Sequence, residues 1–111
     1  MKKIILTKDF VVYDILCVLT KQQVLDIVID KMPDFKWHRG DSDAQGPYIS
    51  GMNSDDVQIK LWLGESPMSI VVSFDDVWRD ESDREERKEI FIHSMDTTVV
   101  PMLGTVIKRD A

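Results

Sequence analysis

The chain has 111 residues, 43% of them hydrophobic, and a formal charge of −6, with 20 Asp and Glu against 14 Lys and Arg. That length suits one domain with one core, and that sign of charge repels nucleic acid, anionic lipid heads and phosphorylated substrates. The acid is regional: residues 41 to 86 hold twelve acidic and three basic side chains, a distribution that speeds encounter with a basic protein surface.

No window approaches the roughly 18 consecutive apolar residues of a membrane span. The opening Met1-Lys2-Lys3-Ile4-Ile5-Leu6 has the basic start of a signal peptide. Lys8 and Asp9 break its apolar region, however, and no small-residue cleavage site comes after them, so a cytoplasmic protein is expected. Cys17 is the only cysteine, which excludes an internal disulfide and agrees with a reducing compartment. Its neighbours Leu16 and Val18 point to a packed thiol rather than a nucleophile.

In chain order, Lys2 to Leu6 has the composition of a short strand. Val12, Ile15, Leu16 and Leu19 then fall at helical spacing and predict a first helix over Asp9 to Leu19. Thr20 with Gln23 three places on forms a capping-box pattern. Val24, Ile27, Val28 and Met32 line one side of the second helix predicted there, and Pro33 ends it. From Phe35 to Phe74 the pattern changes to period two. Phe35 and Trp37 alternate with charge, Gly40 to Pro47 makes a polar turn, and Tyr48 to Met52 leads to the turn Asn53-Ser54-Asp55-Asp56. Val57, Ile59, Leu61 and Leu63 share the core face of the next strand, which puts Gln58, Lys60 and Trp62 on its outer face. Gly64 to Pro67 turns the chain into Met68, Ile70, Val72 and Phe74. Short connections of this kind imply an antiparallel meander of about four strands.

The remainder opens on the acidic stretch Asp75 to Glu81. Ser82 is placed to cap a helix running through Glu89 to about Met95, with Asp83, Glu85 and Glu86 where a helix dipole favours negative charge. Pro101 and Gly104 interrupt the last fifteen or so residues, where no long helix can persist. Met102, Leu103, Val106 and Ile107 still mark a buried side, and Lys108-Arg109 suits a helix end, so a short final helix is expected. The whole reads as one α+β domain over residues 1–111: N-terminal helices, a four-stranded meander and C-terminal helices, with one layer of helices packed on the sheet.

Few residues point to chemistry. Asp41-Ser42-Asp43-Ala44-Gln45-Gly46 has the spacing that opens a calcium loop, but the twelfth place that needs a bidentate Glu is Met52. His38 and His93 have no zinc spacing. There is no Gly-x-Ser-x-Gly, no Cys-His signature and no phosphate-cradling glycine loop. Neither metal nor other cofactor is expected, and the chain is read as non-enzymatic. The signal that remains is binding: Asp75, Asp76, Asp80, Glu81 and Asp83 supply charge, while Trp62, Trp78 and Tyr48 are large rings among polar neighbours that suit interface anchors.

With two predicted helices, then Phe35-Lys36-Trp37, Gly40-Asp41-Ser42-Asp43-Ala44-Gln45-Gly46 and Tyr48-Ile49-Ser50-Gly51 leading into a meander, most of the chain resembles the small immunity proteins of bacterial contact-dependent growth inhibition and related polymorphic-toxin systems. Those proteins share no universal motif, so no functional residue transfers by position. The resemblance implies a cytoplasmic protein that binds and blocks a cognate toxin domain, often a nuclease, whose phosphate-binding Lys and Arg an acidic surface can occupy. The expected partner is thus a basic protein, not nucleic acid or membrane. A self-associating homodimeric module and a small carboxylate enzyme are the alternatives.

Overall fold

The computed structural model describes residues 10–44, 46–64, 67–74 and 83–110. Six strands run through them: Phe10–Leu16 (β1), Lys36–Ser42 (β2), Gly46–Met52 (β3), Gln58–Trp62 (β4), Met68–Ser73 (β5) and Thr105–Asp110 (β6). They form one sheet in the order β2-β3-β4-β5-β1-β6, every neighbouring pair antiparallel. The helical parts are Lys21–Lys31 (α1) and a C-terminal run of Arg84–Ser94 (α2), a π turn at Met95–Val99 and Val100–Leu103 (α3).

The architecture corrects the expectation of a four-stranded meander between helical ends. The segment read as a first helix, Asp9 to Leu19, contains β1, and the segment read as a final helix contains β6. The sheet therefore has six strands, and among the described residues α1 is the one helix that precedes the β2–β5 meander. Val11, Tyr13 and Ile15 are wholly buried and alternate with half-buried Val12 and Asp14, a strand's period. Both faces of β1 carry apolar residues, Val11, Tyr13 and Ile15 on the buried face and Phe10, Val12 and Leu16 on the other, and such a run satisfies helical and strand spacing at once. Pairing with residues about 55 to 100 positions later decides between them. The strand suggested at Lys2 to Leu6 and the Ser82 cap lie outside the described residues; the described N-cap of α2 is Asp83.

Local chemistry accounts for the rest. The Thr20 hydroxyl accepts from the Gln23 amide at 3.1 Å while the Gln23 side chain accepts from the Thr20 amide at 2.9 Å, closing the capping box of α1. In the β2–β3 hairpin, Gly40 and Gly51 leave room for cross-strand rings: a β-carbon on Gly40 would overlap the Tyr48 ring, and one on Gly51 the Trp37 ring. The two rings thus cover opposite faces of the same hairpin. The π turn sits just before Pro101, which lacks an amide proton and would crowd the carbonyl four residues back in a regular helix. Thr97 donates to the His93 carbonyl at 2.9 Å and Thr98 to the Ser94 carbonyl at 2.6 Å, satisfying groups that the widened turn displaces.

The described helices lie on one side of the sheet. Val24, Val28, Ile92, Met95, Val99, Val100 and Leu103 join the inward row of every central strand in a single core. Phe91 bridges Phe35 and Phe74, with ring centroids 6.0 and 5.8 Å away. Cys17 is half-buried and packs against that core. Among the described residues no helix is long and apolar enough to cross a membrane.

Candidate functional site

Strand register places three rows of side chains across the face that the helices leave open. One row reads Gly40, Tyr48, Trp62, Ser69, Asp14 and Lys108; the next reads His38, Ser50, Lys60, Val71, Val12 and Asp110; the third reads Lys36, Met52, Gln58, Ser73 and Phe10. Directly paired residues on neighbouring strands share a face. Tyr48 and Trp62, singled out separately in the sequence, therefore meet: their rings lie 5.2 Å apart and tilted by 58°. The Lys60 ammonium sits over both, 4.2 Å from the Tyr48 centroid and 4.6 Å from that of Trp62, where a ring's electron-rich face attracts a cation. Both rings are half-buried. In the neighbourhood of this pair the described charge is not acidic: Lys36, Lys60, Lys108 and His38 share the face with Asp14 and Asp110.

Asp83, the described member of the acidic set singled out in the sequence, is elsewhere. Asp83 lies at the start of α2, beside the end of β5, because the Arg84 guanidinium donates to the Phe74 carbonyl at 3.2 Å. Trp62 pairs with Ser69 near the opposite end of β5. Asp83 is thus most of a strand's length from the Tyr48–Trp62 pair, on the helical side of the sheet. Asp75, Asp76, Trp78, Asp80 and Glu81 lie outside the described residues.

At the Asp83 end a second acidic segment arrives. The Asn53 side-chain oxygen accepts from the amides of Asp55 and Val57, each at 3.0 Å, which builds the β3–β4 turn. Asp56 completes it with φ +62°, a left-handed conformation that Asp tolerates. Asp55 and Asp56 are left exposed, and Asp55 faces α2 across a shallow open groove of about 400 Å³ lined by Asp55, Arg87, Ile90, Phe91 and Ser94. Ile90 is 63% exposed on an otherwise charged helix face. Sequence reasoning misses every residue that lines this groove. The signal it offers is a single aliphatic residue four places after Glu86, on the solvent side.

Some of this acid has internal work. Lys88 is only 1% exposed, its ammonium 3.2 Å from Glu85 and 6.0 Å from the Phe74 ring centroid. A buried cation needs such partners, since its desolvation is otherwise uncompensated. Arg84 lies 3.3 Å from Glu85, and Arg87 4.0 Å from Asp83.

A further polar cluster joins sheet to helix. The buried Tyr13 hydroxyl donates to Asp96 at 2.7 Å, and Arg109 of β6 donates to the other carboxylate oxygen at 3.0 Å. Burial holds the Tyr13 phenol far above its ordinary pKa; the Asp96 hydrogen bond and charge push the same way, and Arg109 opposes them. Neither Asp96 nor Arg109 stands out in the sequence, because the π turn that aims Asp96 at the sheet has no local signature.

His38 and His93 stand on opposite sides of the sheet, and Asp41 and Gly46 lie at the closed end of the β2–β3 hairpin. Among the described residues no three His, Cys, Asp or Glu side chains gather as a metal site. Comparison with protein-family models, with curated proteins and with solved structures gives no match.

Proposed function

We propose that the protein is a non-enzymatic binding protein of the immunity kind, which neutralises a basic cognate toxin domain by covering it with acid. What supports this reading is the approach of acid from separate parts of the chain: Asp55 of the β3–β4 turn stands across a groove from the helix that Asp83, Glu85 and Glu86 open. Such a surface draws in Lys and Arg that a nuclease holds ready for phosphate.

The test is co-expression of the chain with a candidate toxin domain, then binding kinetics on the purified pair. Toxicity should vanish, and the complex should dissociate as salt rises. Changing Asp75, Asp76, Asp80, Glu81 and Asp83 together to Asn or Gln should slow association and flatten its salt dependence. Unchanged binding by that variant would remove these residues from the interface, and undiminished toxicity would end the immunity reading.

A second reading, self-association, draws on β6. This edge strand is exposed at every position, with Val106 and Ile107 40% and 53% accessible, and an unpaired edge can template another strand. A concentration-dependent dimer in sedimentation velocity, lost in Ile107→Lys, would favour it.

A further inference from the structure

All six residues of β6 are exposed, so the strand adds little apolar burial to the core. What holds it is a set of paired contacts with β1 and the helical run. Lys108 stands opposite Asp14, a cross-strand pair of opposite charge. Arg109 stands opposite Tyr13, its guanidinium 6.0 Å from that ring's centroid and 3.0 Å from the Asp96 carboxylate of the π turn. The register shifts between Asp14 and Ile15, where β6 carries the additional residue Ile107. The slot beside β1 is thus specific. It takes a strand that supplies an added residue at that step, a base opposite Asp14 and a guanidinium that reaches Asp96. β6 meets all three conditions, and a second copy of the chain carries the same segment.

The junction is the tightest part of the attachment. α3 ends at Leu103 and β6 begins at Thr105, so Gly104 alone connects them. A β-carbon there would overlap the Leu16 carbonyl oxygen and crowd the Ile15 side chain. One residue leaves the chain little choice of path back to its own β1, while glycine has the backbone freedom to run on in another direction. Short junctions of this kind favour exchange of the element beyond them.

We propose that β6 is an exchangeable strand: turning outward about Gly104, it completes the sheet of a second copy while that copy's β6 completes its own, in a reciprocal dimer. The proposal is independent of the immunity reading. It differs from edge pairing because β1 and β6 of different copies, rather than two β6 strands, lie side by side.

The test uses the full chain with Cys17→Ala, Val12→Cys and Asp110→Cys, which puts a thiol on each of two directly paired positions, at a separation that a disulfide spans. The chain is unfolded in urea and refolded under reductant at about 1 mM, where a second copy matches the effective concentration of a tethered strand. Dimer and monomer are then separated, diluted and oxidised. Denaturing electrophoresis should show a covalent dimer from the dimer fraction and an internally bridged single chain from the monomer fraction. Single chains from both fractions would overturn the exchange and make the dimer an edge pairing. Absence of any dimer, in this chain and in the same chain with Gly104→Ala, would overturn it as well. Without the added thiols, Gly104→Ala should raise the dimer share several-fold, because the methyl crowds the closed junction and not the open one. Arg109→Gln loosens the same contact in both states, so it should speed interconversion and leave the dimer share unchanged. A share that Arg109→Gln moves as far as Gly104→Ala does would count against exchange.

Discussion

At the scale of single residues, Tyr13 and Asp96 are the most consequential polar pair described. The Tyr13 hydroxyl is buried among Val11, Ile15 and the helical run, so its one acceptor matters more than a surface bond would. Tyr13→Phe removes donor and demand together and should cost about 0.5–1.5 kcal/mol. Asp96→Ala strands the hydroxyl and releases Arg109, and should cost more, about 1–3 kcal/mol; urea unfolding of both variants checks the order. The same pair sets an alkaline limit. An unfolded tyrosine loses its proton near pH 10 while folded Tyr13 retains it. The contribution is therefore fully present below that pH and declines above it, with a slope approaching about 1.4 kcal/mol per pH unit. Tyr13→Phe should lack that part of the decline. Tyr13 does not stand out in the sequence, where Val12, Ile15, Leu16 and Leu19 form the apolar pattern, and neither does its acceptor, 83 positions away.

At the scale of elements, legibility tracks the range of the interactions that decide each one. The Thr20–Gln23 box, Pro33 and the turns at residues 53–56 and 64–67 act within a few residues, and α1 and the strands β2 to β5 lie where those signals bracket them. β1 and β6 are decided by each other. Thr105 and Val106 have no partner in local sequence, but opposite Leu16 and Ile15 they extend a ladder. Gly104 is what lets the chain leave α3 and reach that ladder: a β-carbon there would collide with the Leu16 carbonyl oxygen. Because the obstacle is backbone, Gly104→Ala should destabilise by about 1–3 kcal/mol and loosen β6 selectively. Hydrogen exchange would show this as lost protection at residues 105–110 and 12–16 with the β3–β4 ladder unaffected.

For the molecule as a whole, the long-range ladder separates two residues that the sequence sets in one binding face: Asp83 lies beside the end of β5, and Trp62 pairs with Ser69 near its start. A net charge of −6 also has a cost that a basic partner would relieve. Like charges within a Debye length oppose the compact state, so raising NaCl from about 20 to about 300 mM at pH 7 should raise the melting temperature by a few degrees. The variant with Asp75, Asp76, Asp80, Glu81 and Asp83 neutralised should respond much less. A melting temperature that falls with salt would mean that the ion pairs of α2 outweigh this repulsion.

The interior place of β1 in the sheet also governs how the chain is made. Val12 faces Val71 on one side and Asp110 on the other. A nascent chain leaving the ribosome therefore presents Val11, Tyr13 and Ile15, the centre of the finished core, with neither neighbour until β5 emerges, and with one edge open until β6 follows. Pairings of such sequence separation are slow to close and leave sticky strands waiting. Production of this chain should thus depend on chaperones that shield β1 until its partners arrive.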